Sequence, residues 1–408
     1  MPMQLFSTKK YLKSFSFWWL VIVCSMALLA PIISNNIPLI VSWSDQSKNT
    51  GAKQLDATEY RNEYLNNTAA FKTIVFAAVP YAAGKTDADN LTLKSPFDKN
   101  YFVANDGSEK ELPLRFHHFM GTDKRGCDVL AGIIYGARYS LFIAFISILI
   151  TALIALFMGI ISGYFAFEGV HVKRIYFYFF IAGLFFAWFY GFYVRLFSDL
   201  DVLTNSTLQF GVSFFLNTTV FFIVISLFHF MGSYFSNKFS SKKITIPIDA
   251  IISRITETIT SIPAIILIIS IVASAKPSAT TIILIFGFTM WTDVSRIVRA
   301  EVLKLKSTSF IEAAIASGLT TSQIIFRHML TNIFPVILPI LLYGIAQVIL
   351  TEAGLSFLGL GVAPGTVTWG NLLVQGKENI EAWWLIVFTG MFIFLTVNSL
   401  YKLGKKII

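Results

Sequence analysis

The sequence is short of charge, because Asp, Glu, Lys and Arg make up only 13% of its 408 residues. Ordinary globular domains carry about 25% charged residues, so this shortage argues against a soluble fold. Apolar residues take the place of charge: 55% are hydrophobic, 15% are aromatic and the mean hydropathy is +0.68. The composition predicts an all-α polytopic membrane protein, since backbone groups in lipid must be paired within their own helix.

Cysteine and the usual catalytic patterns are also scarce. Cys24 falls in an apolar run and Cys127 in a polar stretch, so no disulfide is predicted. The sequence has no nucleophile elbow, no His-Glu-x-x-His and no cysteine pair with metal-ligand spacing. The string AVPYAAGKT ends like a phosphate-binding loop, but Val79 stands where that pattern needs glycine. We therefore predict no enzyme activity, no metal site and no ATPase site in this chain.

Long apolar runs are abundant, and eight of them can cross about 30 Å of hydrocarbon as helices. The first follows a basic lead, as in a signal peptide, but it is long and no clear cleavage site follows. Residues 1–41 are therefore predicted to end in an uncleaved anchor. The predicted spans are 17–40, 139–164, 175–197, 208–231, 251–274, 279–298, 334–354 and 382–401.

The net charge of +9 comes mainly from basic residues in short loops beside spans. This placement argues against a nucleic-acid partner, because positive charge beside spans marks the cytoplasmic side. With eight spans, all five basic clusters fall on one side, and the opposite loop SDLDVLTN is acidic. Both termini are therefore predicted to be cytoplasmic, with residues 42–130 outside.

The outer segment 42–130 is too polar to cross a membrane and too long for a simple connector. Its glycines, prolines and apolar patches such as TIVFAAVPYAA favour a small folded cap over the helices. Its mixed charges and frequent asparagine also fit a disordered segment. Both interpretations stay open on the sequence alone.

Residues 307–332 form a polar but helical stretch before the seventh span, which the charge pattern assigns to the cytoplasm. The alanine-rich first half favours a helix, Gly318 suits a left-handed helix end, and a hydroxyl at 320–322 can cap a second helix. One face of that second helix, lying along the membrane surface, is predicted to carry Ile324, Ile325, His328 and Met329. The stretch is either a surface connector or a docking element for a cytoplasmic partner.

The stretch resembles the coupling loop of permease subunits of ATP-binding-cassette (ABC) importers, which has Glu-Ala-Ala, three residues and then Gly. Here that pattern is carried by Glu312, Ala313, Ala314 and Gly318. In the family this loop sits in a groove of the ATPase. The resemblance therefore implies an ATPase-coupling role for these residues.

The peptide-importer branch of that family also has an Ile-Phe-Arg-His string, matched here at 325–328. The match adds Arg327 and His328 to the residues implied in ATPase coupling. The branch usually has proline where this chain has Thr331, so the second helix is expected to end less sharply.

The string HHFMGTDKRGCD is similar to an outer turn at the entry to the branch's second core span, with Cys127 in place of the usual arginine. Its two His and two Asp do not have the spacing of a zinc site. Asp123 and Asp128 are predicted to hold a tight turn through side-chain to backbone hydrogen bonds. The matching residues are Gly121, Thr122, Asp123, Gly126 and Asp128.

Two further segments resemble pathway or helix-packing regions of the branch. One resembles the region where an amphipathic helix leads into the third core span through residues 261–263, and Pro263 can sit in a membrane helix if neighbours satisfy the freed carbonyl oxygen. Glu352 is predicted either to line the translocation path or to form an ion pair facing a partner, because ionisable groups near lipid need a wet or paired environment. Gly359 and Gly361 are expected to allow a bend or close helix contact. The matching residues are Pro263, Glu352, Ser356, Phe357, Gly359, Gly361, Trp369 and Gly370.

The resemblance implies a type I ABC importer transmembrane fold with about eight spans, six core and two inserted, and a long extracytoplasmic loop. The core segments 131–164 and 244–408 are separated by residues 165–243, which are predicted to form two Phe-rich spans absent from the family pattern. Aromatic residues all round these helices favour a peripheral position in lipid. A docking surface for another subunit is the alternative.

In functional terms, the resemblance implies a permease subunit of the oligopeptide and dipeptide C-type in a bacterial inner membrane. The implied partners are ABC ATPase subunits that use ATP and Mg, a second homologous permease, an extracytoplasmic substrate-binding protein and membrane lipid. No cofactor is expected on the chain itself. Peptides are the expected substrates, although the branch also includes importers of nickel. The alternative from another class is a membrane scaffold or sensor that recruits a cytoplasmic partner without transport.

Overall fold

The computed structural model describes residues 14–43, 57–66, 71–91, 93–104, 106–166, 169–194, 207–239, 242–274, 278–363 and 365–407. The first basic cluster and the acidic loop 198–205, both used to predict orientation, lie outside these residues. The chain forms two compact units. The larger comprises Met1–Ile160 with Thr256–Ile408, and the smaller is Ile161–Ile255, which contains the predicted insertion 165–243.

The described residues are mostly helical. The helices are α1 Phe15–Ile33, α2 Ala57–Asn66, α3 Val129–Tyr164, α4 Arg174–Trp188, α5 Thr207–Lys238, α6 Ile248–Thr260, α7 Ala264–Ser274, α8 Ala279–Thr289, α9 Trp291–Lys306, α10 Ser309–Ala316, α11 Thr321–Gln323, α12 Leu330–Phe357, α13 Trp369–Glu378 and α14 Trp383–Ile407. π-Helical turns at Phe189–Tyr193 and Ile324–Met329 extend α4 and join α11 to α12.

The described residues include six short strands, which form three antiparallel pairs. The strands are β1 Ile40–Trp43, β2 Phe71–Val75, β3 Tyr101–Val103, β4 Glu109–Glu111, β5 Val170–Lys173 and β6 Lys243–Ile246. β1 pairs with β2, β3 with β4, and β5 with β6. The first two pairs belong to the outer segment, and the third closes the base of the smaller unit.

Among the described residues, seven helices are long and apolar enough to cross a membrane, and the bent pair α6 and α7 makes an eighth candidate. The prediction of an all-α polytopic protein with about eight spans is confirmed. The predicted span 251–274 is not straight, because α6 and α7 meet at 76°. Pro263 lies in this break, where the resemblance places the passage from an amphipathic helix into the third core span, since proline has no N–H to continue a helix.

The core of the larger unit lies where α1, α3, α8, α12 and α14 meet. Its central side chains include Val23, Ile143, Phe286 and Ile349, all nearly inaccessible. Lipid is as apolar as these side chains, so close packing rather than transfer out of water holds such helices together. A Cβ atom on Gly159 would lie 2.7 Å from the carbonyl oxygen of Ser295. Because glycine has no side chain, the backbones of α3 and α9 come into direct contact at this point.

The described parts of the outer segment fold into a small cap. Its apolar centre contains Phe76, Phe102, Leu112 and Phe116, and the rings of Phe76 and Phe116 meet edge to face at 5.1 Å. Tyr64 of α2 packs against the same two rings. For these residues the folded interpretation is confirmed, because disordered segments do not bury an aromatic cluster of this kind.

The smaller unit is a helical hairpin built on aromatic contacts. Phe179 of α4 stacks on Phe235 of α5, with ring centroids 5.4 Å apart and planes within 8°. Gly183 lies against the Phe228 side chain, so the two helices pack closely. Other rings on the same helices stay exposed, including Phe185 at 62% and Phe230 at 74%. Such exposed aromatic surface is what helices in contact with lipid carry.

Candidate functional site

The docking element, residues 309–329, starts with the short helix α10. Ile311 and Ala314 on one side of α10 are buried, whereas Glu312 and Ala313 are exposed on the other. Apolar side chains are also left uncovered, since Ile315 is 50% exposed. The helix therefore has a packed face and a free face of low relief on which a partner can approach closely.

A glycine turn follows α10. Gly318 has φ +78°, its N–H donates to the carbonyl oxygen of Ile315 at 3.0 Å, and the Leu319 N–H donates to that of Ala314 at 3.2 Å. These two bonds make a Schellman motif, which closes a helix at a left-handed residue. The predicted helix end at Gly318 is confirmed. A Cβ atom here would meet nothing within 4 Å, so the backbone angle alone demands glycine.

The next helix begins with the predicted hydroxyl cap. The Thr320 Oγ1 atom accepts from the Gln323 N–H at 3.4 Å, and the Gln323 side chain accepts from the Thr320 N–H at 2.9 Å. This capping box pairs two N–H groups that would otherwise lack partners at the helix start. Together, the Schellman turn and the box fix the direction of the chain between α10 and α11.

The predicted separate second helix is wrong. α11 continues through the π-helical turn into α12, so that Thr321–Phe357 is one helix of 37 residues. Thr331 has the backbone N–H that a proline would lack, and its side chain donates to the Arg327 carbonyl oxygen at 3.1 Å. The wider π turn buries Ile324 and Met329, five residues apart, while Arg327 is exposed. Ile325 and His328 of the predicted face are only half-buried.

The outer turn before α3 is held as predicted. The Asp123 carboxylate accepts from the backbone N–H groups of Arg125 and Cys127, both at 2.8 Å. The Asp128 carboxylate accepts from the Ala131 N–H at 2.6 Å and so caps α3. Gly121 lies where a Cβ atom would stand 2.6 Å from the Lys94 carbonyl oxygen.

The outer turn also contacts two other parts of the chain, at Lys94 and at Trp384. The Lys94 N–H donates to the Thr122 hydroxyl at 2.9 Å. The Trp384 indole donates to the Thr122 carbonyl oxygen at 3.1 Å. At Gly126 a Cβ atom would lie 2.8 Å from the Asp87 carbonyl oxygen. These contacts fix the cap to the N-terminal ends of α3 and α14.

Cys127 does not reproduce the positive charge of the arginine that stands here in the peptide-importer branch. Burial raises the pKa of its thiol to about 11, so the side chain is neutral at physiological pH. The neighbouring Arg125 supplies a guanidinium 3.5 Å from the Asp123 carboxylate. The guanidinium that pairs with Asp123 in this turn is therefore that of Arg125.

A buried ionic network, not predicted from the sequence, joins this turn to the cap. His118 has no side-chain exposure, and its Nδ1 and Nε2 atoms lie 2.8 Å from Asp128 and 3.2 Å from Asp87. Arg61 of α2 forms a two-point ion pair with Asp87, at 2.6 and 3.0 Å. The Tyr81 ring stacks on His118 at 4.1 Å. The cluster of His and Asp at 117–128 hinted at this network, but nothing marked Arg61.

The network shifts the pKa values of its members in opposite directions. Burial disfavours the charged imidazolium of His118, but hydrogen bonds to Asp128 and Asp87 outweigh it and raise the pKa. Burial likewise disfavours the Asp87 carboxylate, but hydrogen bonds from His118 and Arg61 hold its pKa well below the ordinary value. The folded cap therefore favours a charged His118 between two carboxylates.

These shifts predict that the cap is most stable between about pH 4 and 6.5. The raised pKa of His118 gives stability that is full below about pH 6.5 and is lost as the pH rises through the folded-state pKa. The lowered pKa of Asp87 gives stability that is present above about pH 4 and is lost in acid. Amide exchange protection factors in 71–128, corrected for intrinsic rates, measure this profile.

The matched test of that profile compares two neighbouring histidines. His118→Gln removes the charged group, so the loss of protection above about pH 6.5 is expected to flatten. His117→Gln is the control, because His117 contacts only the Leu112 carbonyl oxygen among the partners found for its ring. An unchanged alkaline slope in His118→Gln would contradict the assignment.

Residues 352–370 form a second cluster, which we call the outer clasp. Glu352 is 1% exposed and accepts from the hydroxyls of Ser356 at 3.0 Å and Thr368 at 3.1 Å. A Cβ atom on Gly370 would lie 2.6 Å from Ser356. Of the two roles predicted for Glu352, neither is visible in these contacts, which are internal to the clasp.

The remaining predicted residues of this segment complete the outer clasp. Trp369 is fully buried, and its indole donates to the Ile133 carbonyl oxygen at 3.0 Å. Gly359 has φ +79° and closes α12 with a second Schellman motif. A Cβ atom on Gly361 would overlap Ser356. Phe357 is half-exposed, with the Lys377 ammonium 4.7 Å from its ring centre.

A cavity of about 600 Å³ lies in the larger unit beside the bend between α6 and α7. Ligand sites in proteins have volumes of about 300–1,000 Å³, and interrupted membrane helices often line them. Its polar lining includes Thr151, Thr292, Asp293, Gln347 and Tyr401, and Pro263 forms part of its wall. Among the residues predicted for a pathway or for helix packing, Pro263 is the one that lines this cavity.

The long helix relates these parts to one another. The docking element includes its first turns, Gln347 further along it lines the cavity, and the outer clasp surrounds its last turns. At about 1.5 Å per residue, the two ends of this helix are roughly 55 Å apart. Residues that the sequence separates are thus connected through one continuous helix, which contains Pro335 and Pro339.

Comparison with known proteins agrees with these motifs. Residues 230–407 match the family model of the binding-protein-dependent transport system inner membrane component. A peptide transport system permease protein of Brucella suis is 34% identical over 157 residues, 38% of this chain and 53% of that protein. The oligopeptide transport system permease protein OppC of Escherichia coli is 34% identical over 158 residues, 38% of this chain and 52% of that protein.

A third relative matches over a longer range. The dipeptide transport system permease protein DppC of Bacillus subtilis is 25% identical over 299 residues, 73% of this chain and 69% of that protein. The chain spans about half the length of the first two relatives. These findings confirm the resemblance to C-type peptide permeases that was recognised from the motifs. With the apolar helices, they identify a multi-pass membrane protein.

Proposed function

We propose that this chain, whose residues 230–407 carry the inner membrane component domain of binding-protein-dependent transport systems, is one transmembrane subunit of an ATP-driven importer. The proposed substrates are peptides, because three relatives are named as peptide, oligopeptide and dipeptide transport permeases. A nickel importer of the same branch remains the alternative substrate class. The proposed location is a bacterial inner membrane with both termini in the cytoplasm.

The observation that carries this proposal is the helix and turn at Ser309–Thr320. This segment has one exposed face and is joined directly to the helix Thr321–Phe357. A connector needs neither a Schellman turn followed at once by a capping box nor a free face with Glu312 at its edge. A rigid element of this kind transmits displacement, whereas a flexible loop absorbs it.

The proposed mechanism starts at a cytoplasmic ATPase subunit, which binds and hydrolyses ATP with Mg. Glu312 pairs with a basic residue of that subunit, the low surface around Ala313 lies in its groove, and Arg327 contacts its edge. Closure of two ATPase subunits displaces α10, and the continuous helix carries the movement toward the cavity and the outer clasp. Alternating access of the cavity to the two sides follows.

Two further partners complete the proposed assembly. A second, homologous permease supplies the other wall of the translocation path. An extracytoplasmic binding protein delivers the substrate to the outer side, where the cap and the outer clasp lie in this orientation. The chain itself is proposed to bind neither ATP nor any other cofactor.

Cysteine cross-linking tests the docking. Ala313→Cys places a thiol on the exposed face of α10, and a short bifunctional reagent is expected to join it to the co-expressed ATPase subunit. The control is Ser108→Cys in the exposed β3–β4 turn, which is expected to give no such product. Cross-linking at residue 108 and not at residue 313 would reverse the proposed orientation. If the purified chain retains neither an ATPase subunit nor a second permease, a membrane scaffold would be favoured over a transporter.

A further inference from the structure

Five cations converge at the base of the smaller unit, a group we call the basic base. The strand pair β5–β6 sets Lys173 directly opposite Lys243. The Arg174 N–H donates to the Lys242 carbonyl oxygen at 3.0 Å, which brings these two residues to the same edge. The members of the basic base are Lys173, Arg174, Lys238, Lys242 and Lys243.

The last turn of α5 joins the same place. The Lys173 ammonium donates to the Ser236 carbonyl oxygen at 3.1 Å and to the Asn237 side chain at 2.7 Å. Lys238 follows immediately in the sequence and ends α5. One ammonium thus connects the strand pair to the end of the helix.

Within the part of this unit that the structure describes, the arrangement gathers positive charge without a paired carboxylate. Like charges directly opposite in a strand pair are unfavourable, as at Lys173 and Lys243. No described carboxylate forms an ion pair with a member of the basic base. Asp249, the one acid among the described residues of this unit, accepts a hydrogen bond from Ser162. An external anion is therefore the natural counter-charge.

Aromatic rings indicate the depth of the basic base. The Arg174 guanidinium lies 5.6 Å from the centre of the Tyr178 ring, and its Nε atom donates to the Tyr178 hydroxyl at 3.2 Å. The Lys238 ammonium lies 5.9 Å from the centre of the Tyr234 ring. Tyrosines one turn inside a row of cations mark the membrane–water interface. Beyond them, α4 and α5 expose apolar rings that suit the hydrocarbon.

We propose that the basic base binds the phosphate headgroups of anionic phospholipids and so anchors the inserted hairpin in an anionic leaflet. Positive charge beside spans is needed for orientation, but orientation does not require that five cations converge around one strand pair. The position at the ends of two lipid-exposed helices selects a headgroup over a soluble anion. The proposal concerns residues outside the coupling motifs and is independent of transport.

The test measures which phospholipids stay on the full-length protein. The wild type, extracted from nanodiscs of mixed phosphatidylcholine and phosphatidylglycerol, is examined by native mass spectrometry. A preference of at least about tenfold for phosphatidylglycerol is expected, because each cation near an anionic surface contributes favourably. In Lys173→Gln/Arg174→Gln/Lys243→Gln, this preference is expected to fall to less than about a third.

Two further variants separate a loss of lipid binding from misfolding and from a general loss of positive charge. Lys242→Gln/Lys243→Gln alters only two exposed residues at the start of β6, and a partial loss is expected even where the triple variant fails to fold. Lys402→Gln/Lys405→Gln/Lys406→Gln removes the same number of charges at the end of α14 and is expected to retain the preference. Equal loss in this control, or full retention in both variants of the basic base, would overturn the proposal. So would displacement of the lipid by inorganic phosphate or polyglutamate at matched charge.

Discussion

Replacing Gly318 with valine is expected to reduce ATP-driven uptake by a factor of about 5–30, with unchanged amounts of protein in the membrane. Gly318 has φ +78°, and a non-glycine residue in this region costs about 1–2 kcal/mol, with a β-branched residue at the upper end. Residue 318 of the variant must either leave the left-handed conformation or adopt it at this energetic cost whenever α10 docks. The Schellman bonds that orient α10 relative to α11 would then be lost.

The measurement is substrate accumulation in proteoliposomes that contain the whole complex, with ATP hydrolysis followed in parallel. We expect hydrolysis to continue while uptake falls, since the proposed defect lies in transmission. The matched control is Gly107→Val, because Gly107 has φ +77° and equally open space around its Cβ position. Gly107→Val imposes the same backbone strain on the β3–β4 turn. Normal uptake in this control would therefore assign the loss of uptake in Gly318→Val to the docking element. Normal uptake by Gly318→Val itself would count against coupling through this turn.

Replacing Trp369 with alanine is expected to lower the free energy of unfolding by about 3–5 kcal/mol. Trp369 is fully buried in the outer clasp, and its indole and backbone N–H groups donate to Ile133 and Ser140. Its removal leaves a cavity beside Gly136, which lies against the indole ring, and leaves the Ile133 carbonyl oxygen without this donor. The cost thus combines lost packing with a lost buried hydrogen bond.

Thermal and denaturant unfolding in detergent, followed by far-ultraviolet circular dichroism, measure this effect. Trp383→Ala is the control of equal chemistry, because Trp383 begins α14 with 44% of its side chain exposed. A clearly smaller shift is expected there, since a partly exposed ring leaves no closed cavity. Equal shifts for the two tryptophans would show that the outer clasp does not depend on the Trp369 contacts.

Local features were predictable because their causes are local. Spans follow from uninterrupted apolar length, and the turn at Gly318 follows from a glycine and a hydroxyl at cap spacing. The bend at Pro263 has a local cause too, yet hydropathy predicted one span at 251–274, because hydropathy does not report direction. The continuous helix through Met329 required recognising a π turn, which has no simple residue pattern.

Long-range features were not predictable from residue patterns. Arg61 meets Asp87 only after the cap folds, and α2 gives no sign of carrying a buried cation. Glu352 was assigned to a pathway or an ion pair because carboxylates in spans suggest function. Its contacts with Ser356 and Thr368 depend on the return of the chain after Gly359. The β5–β6 pair escaped prediction because a helical hairpin of about 70 residues separates its strands.

The β5–β6 pairing has a consequence for modular engineering. Val170 and Ile246 are register partners, so the chain enters and leaves the hairpin that runs from β5 to β6 at points about 5 Å apart. One or two glycines can bridge such a gap, which makes the hairpin a detachable module. Its excision, or its exchange for a fluorescent reporter, therefore leaves the rest of the chain with an ordinary tight turn at that place.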